Sequence, residues 1–180
     1  DHTLIIVERL GKIISYDINS RTKKTLFETD KYRFRSLSLH PNQSVVYIGT
    51  QKGEIVVFDI SSKRIVQTIQ IPQAALNVTS IAYTKGALFV YTANGVYRCN
   101  IDDKDHSTIS GIDTIKHDEK LDDMVYDHHQ FLLLYSFPAK VEVTKIANNT
   151  LKNLQNISLN INGKIHTAGS TPDNRRFFIV

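Results

Sequence analysis

The chain is predicted to be all-β, built as about four blades of a larger β-propeller, on three observations. A segment recurs about every forty residues, each copy holds four short strands split by tight turns, and no stretch sustains a 3.6-residue apolar period. The clearest copy runs from Arg35 to Ile71: RSLSLHP, a polar turn NQ, SVVYIGT, a turn QKG, EIVVFDI, a turn SSK, then RIVQTIQI.

Upstream, LIIVERLGKIISYDINSRTKKTLFE reads as the last three strands of a preceding unit, with Tyr16-Asp17 lying 42 residues before Phe58-Asp59. Downstream, VTSIAYTKGALFVYTANGVYRCNIDDKDHSTISGI puts Arg98-Cys99-Asn100 at the same point about 41 residues on. A fourth copy places Thr144-Lys145 there after about 45 more, and HTAGSTPDNRRFFIV reads as the opening strands of a fifth. The expected blades are therefore 1–30, 31–75, 76–118 and 119–162, with the start of another over 163–180. A closed propeller needs about seven blades of roughly 40 residues. With Asp rather than Met at position 1 and a start inside a blade, the chain is expected to be part of a longer protein.

Within the clearest copy Ile55, Val57 and Asp59 alternate with Val56, Phe58 and Ile60, and both sets are largely apolar. A strand apolar on both faces suits a sheet packed between two neighbours. Gly or Asn stands where a turn needs a positive φ: Leu10-Gly11, Lys52-Gly53, Lys85-Gly86 and Asn94-Gly95. A β-sandwich also has short, evenly spaced strands, but nothing in it requires the same turn order every forty residues.

The run SLSLHPNQSVVYIGTQKGEIVVFDI resembles the WD-repeat family in divergent form, with Phe58-Asp59 and Tyr16-Asp17 standing where that family has Trp-Asp. The departures are plain: no Gly-His pair opens a blade, there is no Trp, and Lys52 occupies a turn position where many members hold a structural Asp. The hydrogen-bond network which that Asp anchors is expected to be missing. Quinoprotein-like and sugar-lactonase-like propellers share the strand rhythm. The resemblance implies a subunit of a larger assembly.

Apolar residues make up 41% and charged residues 22%, so a packed core is expected and disorder is not. The longest apolar runs are strand length, short of the roughly 20 residues that span a bilayer, and no membrane insertion is expected. The single cysteine, Cys99, cannot form an internal disulfide and reads as a core residue. Four N-x-S/T sequons, at Asn42, Asn77, Asn148 and Asn156, exceed only slightly the about two that chance supplies in so polar a sequence. An intracellular protein, nuclear or cytoplasmic, is the expectation.

The net charge is +4. In the register above, the turns between third and fourth strands emerge on one rim, and in the first two units they carry Arg21, Lys23, Lys24 and then Lys63, Arg64. The next unit breaks the pattern with Asp102-Asp103-Lys104-Asp105. A cationic rim of this kind could hold an acidic protein segment or RNA phosphates, or it could be merely solvated. A second cluster interleaves Lys31, Arg33 and Arg35 with Tyr32 and Phe34. Such a pattern either stacks bases and binds phosphates or buries its rings and leaves its charges in water.

No phosphate-binding glycine loop, nucleophile elbow or metal-spaced Cys/His set occurs. The densest polar group is Asp122-Asp123 with Asp127-His128-His129, where adjacent histidines on a strand would face opposite ways. His40, His117 and His166 read as surface or hydrogen-bonded structural residues. Two function classes follow. The first is a non-enzymatic scaffold without cofactor, partnered by other protein subunits and, through the basic rim, by RNA, as in ribosome-biogenesis-like ribonucleoprotein complexes. The second is part of a propeller hydrolase or lactonase with a central metal. That class needs carboxylates or amides on the inner strands, where the sequence offers Leu37, Leu39, Ile81, Tyr83, Met124 and Tyr126.

Overall fold

The computed structural model describes residues 2–72, 77–84, 86–102 and 104–115, and beyond them segments 123–126, 131–136, 140–147, 150–158, 168–170 and 177–179. These form a series of antiparallel sheets in chain order. Strands β1 (Thr3–Glu8), β2 (Lys12–Asp17) and β3 (Thr22–Glu28) make the first. The second holds β4 (Phe34–Leu39), β5 (Val45–Thr50), β6 (Glu54–Asp59) and β7 (Arg64–Gln70). The third holds β8 (Val78–Thr84), β9 (Ala87–Thr92), β10 (Gly95–Ile101) and β11 (Ile109–Ile115). The fourth holds β12 (Asp123–Tyr126), β13 (Phe131–Ser136), β14 (Lys140–Ala147) and β15 (Thr150–Ser158), and β16 (Ala168–Ser170) pairs with β17 (Phe177–Ile179). Each sheet is a simple meander, and β4, β8, β12 and β16 contact one another in sequence as the innermost strands of successive blades.

The repeat is metrically regular. Strands β1, β2 and β3 begin 42 residues before β5, β6 and β7 respectively. The alternation in β6 does what two apolar faces require. Val45, Tyr47, Ile55 and Val57 pack with Val78, Leu88, Val90, Tyr97 and Cys99 of the third sheet. Their sequence neighbours Val46, Ile48, Val56 and Phe58 pack with Ile13, Tyr32 and Phe34, against Ile5, Val7 and Phe27. The second sheet is therefore covered on both sides, and each fully buried side chain contributes about 1.5–3 kcal/mol.

The second and third sheets are also joined by polar contacts. The Ser36 hydroxyl donates to the Val78 carbonyl at 3.0 Å, and the Ser38 hydroxyl accepts from the Tyr83 N–H at 3.0 Å. On the outer strands, the Gln67 amide spans to Ile109: its Oε1 accepts from the Ile109 N–H at 2.8 Å, and its Nε2 donates to the Ile109 carbonyl at 3.3 Å. The inner contact needs Gly49, because a Cβ there would lie 2.4 Å from Val78 Cγ1 and 2.5 Å from Ser36 Oγ. Between the first and second sheets a backbone bond from Phe34 N–H to the Arg9 carbonyl, at 3.1 Å, supplements the apolar packing.

Candidate partner-binding surface

Of the predicted rim residues, Arg21 and Lys63 sit on two turns of the same construction, and Lys23, Lys24 and Arg64 lie in the strands that follow them. Asp17 Oδ1 accepts from the Ser20 N–H at 2.7 Å and from its hydroxyl at 2.9 Å. Asp59 Oδ1 accepts from the Ser62 N–H at 2.6 Å and from the Ser61 hydroxyl at 2.7 Å. These bonds, the backbone one first, hold both carboxyls below their ordinary pKa. An aspartate closing a turn this way leaves the residue after the serine to complete the chain reversal in the left-handed region. That residue is Arg21 in one turn, with φ 55°, and Lys63 in the other, with φ 56°.

All five predicted cations are exposed. They do not all form one patch. Lys23 and Lys24 are successive residues of β3 and so leave opposite faces of the strand, and Lys23 Nζ lies 3.4 Å from Glu8 Oε1. Arg64 opens β7 opposite Asp59. The cations held in equivalent places on successive blades are Arg21 and Lys63.

The acidic turn of the third sheet proves to be a buttress. Asp102 Oδ1 accepts from the Lys104 and Asp105 N–H groups at 2.8 and 2.9 Å, and Asp105 takes the Ser107 N–H at 3.0 Å and the Thr108 hydroxyl at 2.7 Å. The turn thus formed presents the His106 carbonyl to the buried Tyr47 hydroxyl at 2.7 Å. It also stacks the His106 ring on His40, with centroids 4.2 Å apart. His40 is 5% exposed, with Nδ1 2.6 Å from Asn42 Oδ1 and Nε2 3.0 Å from the Tyr83 hydroxyl. Asn42 Oδ1 also accepts from the Ser44 N–H and hydroxyl, and the Asn42 N–H donates to His40 Nδ1 at 3.2 Å, so the Asn42 backbone and side chain both hold that ring nitrogen. Burial then lowers the His40 pKa, against the opposing Asn42 bond. His40 is therefore the hydrogen-bonded structural residue expected. Its partners Tyr83 and His106, 43 and 66 residues away, carried no local signal.

In the second basic cluster Tyr32 and Phe34 are 5% and 2% exposed, with their rings stacked at 6.1 Å, while Lys31, Arg33 and Arg35 face solvent. Of the two readings of that cluster, the one that buries its rings and leaves its charges in water is the one the structure shows. The turn at Lys52, where the family's aspartate is absent, has a local set of bonds from a threonine instead. The buried Thr50 hydroxyl accepts from the Lys52 and Glu54 N–H groups, both at 3.2 Å, and donates to Glu54 Oε2 at 3.1 Å.

Asp122, Asp127, His128, His129, His117 and His166 lie outside the described residues. Among the described residues no group of three His, Cys, Asp or Glu side chains is placed to hold a metal ion, and no helix is long and apolar enough to cross a membrane.

The sequence matches no protein-family model and no curated protein. Its structure is similar to solved ones. One is a chain in the crystal structure of the mitotic checkpoint complex, 14% identical with a TM-score of 0.67 over 94% of this chain and 53% of that one. Another is the β-propeller domain of Cps50 (Swd1) from Myceliophteria thermophila, 11% identical with a TM-score of 0.66 over 87% of this chain and 56% of that one. A third is a functionally unknown protein from Desulfotomaculum acetoxidans, 11% identical with a TM-score of 0.76 over 99% and 59%. The fold is a β-propeller. This chain spans 53–59% of the length of those three.

Proposed function

We propose that the chain is a non-enzymatic interaction scaffold, its blades holding a cationic rim against acidic surfaces of partner subunits in an intracellular assembly. One observation carries this reading: Arg21 and Lys63 occupy equivalent left-handed positions on adjacent blades. A non-glycine residue there costs on the order of 1–2 kcal/mol, which glycine would avoid. Strain kept twice in the same place, each time under a long cationic side chain, is consistent with a demand for the charge. The mitotic checkpoint complex, which contains a chain of this fold, is a multi-subunit assembly by its name. In a nuclear or nucleolar ribonucleoprotein setting the same rim would also meet RNA phosphates.

The test is affinity purification at low and high salt, with mass spectrometry and RNA quantification, of the wild-type protein and of a variant with Arg21, Lys23, Lys24, Lys63 and Arg64 changed to Glu. A set of co-purifying subunits lost with the variant supports the scaffold, and RNA lost with them adds the phosphate role. Unchanged retention removes the rim from the reading. Recovery of the protein alone with stoichiometric Ca²⁺ or Zn²⁺ would favour the hydrolase class instead.

A further inference from the structure

Because the strands alternate in direction, the β3–β4 and β5–β6 connections emerge at the opposite end of the sheets from the rim turns. Backbone bonds chain them together. Phe34 N–H meets the Arg9 carbonyl at 3.1 Å, Gln51 N–H the Arg33 carbonyl at 2.8 Å, and Asn77 N–H the Gln51 carbonyl at 2.8 Å. This seam sets Arg9, Lys31, Arg33, Arg35 and Lys52 beside one another, all exposed. Among the described residues none of the five lies within salt-bridge distance of a carboxylate, and Lys31 is attracted to Glu54 at longer range. Three hollows open along the seam. One of about 270 Å³ lies between Lys31, Arg33 and Lys52 over Tyr32, with Glu54 as its one carboxylate. A second of about 180 Å³ is flanked by Arg9 and Arg35, and a third of about 220 Å³ by Arg35 and Asn77. Glu54 already accepts from the Thr50 hydroxyl.

We propose that this seam binds an extended acidic segment of a partner protein, with Lys31, Arg33 and Arg35 taking carboxylates from every second residue of that segment. The three cations leave the chain at alternate positions, because Tyr32 and Phe34 between them are turned into the core. Two residues of extended chain advance about 7 Å, so an extended acidic segment can offer a carboxylate to each of three cations set two residues apart along the run into β4. Arg35 is the extra residue of a β-bulge, since Phe34 pairs with Thr50 and Ser36 with Gly49, and a bulge re-aims its side chain. That places Arg35 at the border of two hollows. All three hollows fall below the ~300–1,000 Å³ of small-molecule sites, so they suit side chains rather than a cofactor. Lys31 Nζ lies 4.9 Å from the Tyr32 ring centroid, which orients the ammonium, and Arg33 spends one nitrogen on the Asp30 and Tyr32 carbonyls while keeping other donors free. Single-stranded RNA is disfavoured because it needs aromatic faces for its bases, and the rings at the seam, Tyr32 and Phe34, are buried. The inference shares with the rim reading only the premise that a partner is a protein. The two sites lie at opposite ends of the sheets.

The test is fluorescence anisotropy of the chain with two labelled peptides of equal composition, one with Asp at every second position and one with the same Asp residues in a block, and with a labelled oligouridine. We expect the alternating peptide to bind about ten-fold more tightly than the block. The Lys31→Gln, Arg33→Gln, Arg35→Gln triple variant should weaken it at least about ten-fold, and Arg21→Gln, Lys24→Gln, Lys63→Gln, which removes the same charge from the opposite end of the sheets, should weaken it no more than about two-fold. Lys31→Gln and Arg35→Gln alone should each cost about three-fold, which keeps the test valid if the triple variant does not fold. Equal binding of both peptides, or triple-variant binding equal to wild type, overturns the proposal. So does oligouridine binding as tight as the alternating peptide and lost in the triple variant. Peptide binding intact in a rim variant that has lost its subunits leaves the seam standing, and the converse leaves the rim standing.

Discussion

Replacing Gln67 tests the joint between blades most directly. Its amide makes two bonds to one residue, Ile109, which is 5% exposed, so the N–H and C=O it serves have little recourse to water. Each neutral bond contributes about 0.5–1.5 kcal/mol net, and a buried group left unpaired costs about 1–3 kcal/mol. Gln67→Ala is therefore expected to cost about 2–3 kcal/mol. Gln67→Glu makes a sharper probe. As a carboxylate the new side chain can accept from the Ile109 N–H but places a second lone pair against the Ile109 carbonyl, whereas the protonated acid restores the donor. The folded state then favours the neutral form and raises the pKa of the introduced carboxyl above its unfolded value of about 4.3. Relative to Gln67→Ala, the glutamate variant gains stability as the pH falls through the raised value, and the gain is complete below the unfolded one. The assay is native-state amide exchange at Ile109, read between pH 4 and 7 for wild type and both variants. A loss of about 2 kcal/mol lowers protection there about thirty-fold. Protection of Ile109 unchanged in Gln67→Ala, or a glutamate variant that tracks alanine at every pH, would falsify the reasoning.

Three further outcomes are expected. The buried, neutral His40 binds a proton less readily when folded than its unfolded reference near 6.5, so stability is full above that value and falls as the pH drops through it toward the lowered folded pKa. Urea midpoints measured from pH 7.5 to 5 should show this slope, and His40→Gln should flatten it. Gly11→Ala should cost about 3 kcal/mol or more, because φ is +90° and the new Cβ would lie 2.1 Å from the Thr29 carbonyl oxygen, a backbone atom that cannot step aside; a thermal midpoint within a degree of wild type would rule this out. Cys99 is fully buried with its thiol pushed up to about 12, so iodoacetamide at pH 8 should label it only after denaturation, and mass spectrometry of the native protein would detect any earlier modification.

The blade pattern was readable because it is local. The dipeptides Tyr16-Asp17 and Phe58-Asp59 terminate strands and cap turns by bonds to residues two or three positions on, so their spacing carries the architecture. The two-sided apolar alternation of β6 likewise reports the neighbours on either face. The exposure of the rim cations was legible for the same reason. Long-range polar contacts were not. Gln67 with Ile109, Ser36 with Val78 and His40 with Tyr83 join residues 42 or 43 apart, and nothing in a lone Gln, Ser or His says which neighbour it will meet. Thr50 is a similar case, because a threonine ending a strand can replace a turn aspartate only once the backbone brings two N–H groups to its hydroxyl.

The uneven lacing of the sheets has a mechanical consequence. Ser36, Ser38, Tyr47 and Gln67 tie the second and third blades at the inner strands, at a turn and at the outer strands, so tension reaching that pair is shared among several bonds loaded at once. The first blade meets the second through apolar side chains and the Phe34 to Arg9 backbone bond, a contact whose resistance is short in range and quickly lost once the surfaces part. A partner pulling on the rim at Arg21 would therefore strain a compliant joint, while one pulling at Lys63 would be anchored to a stiff two-blade body.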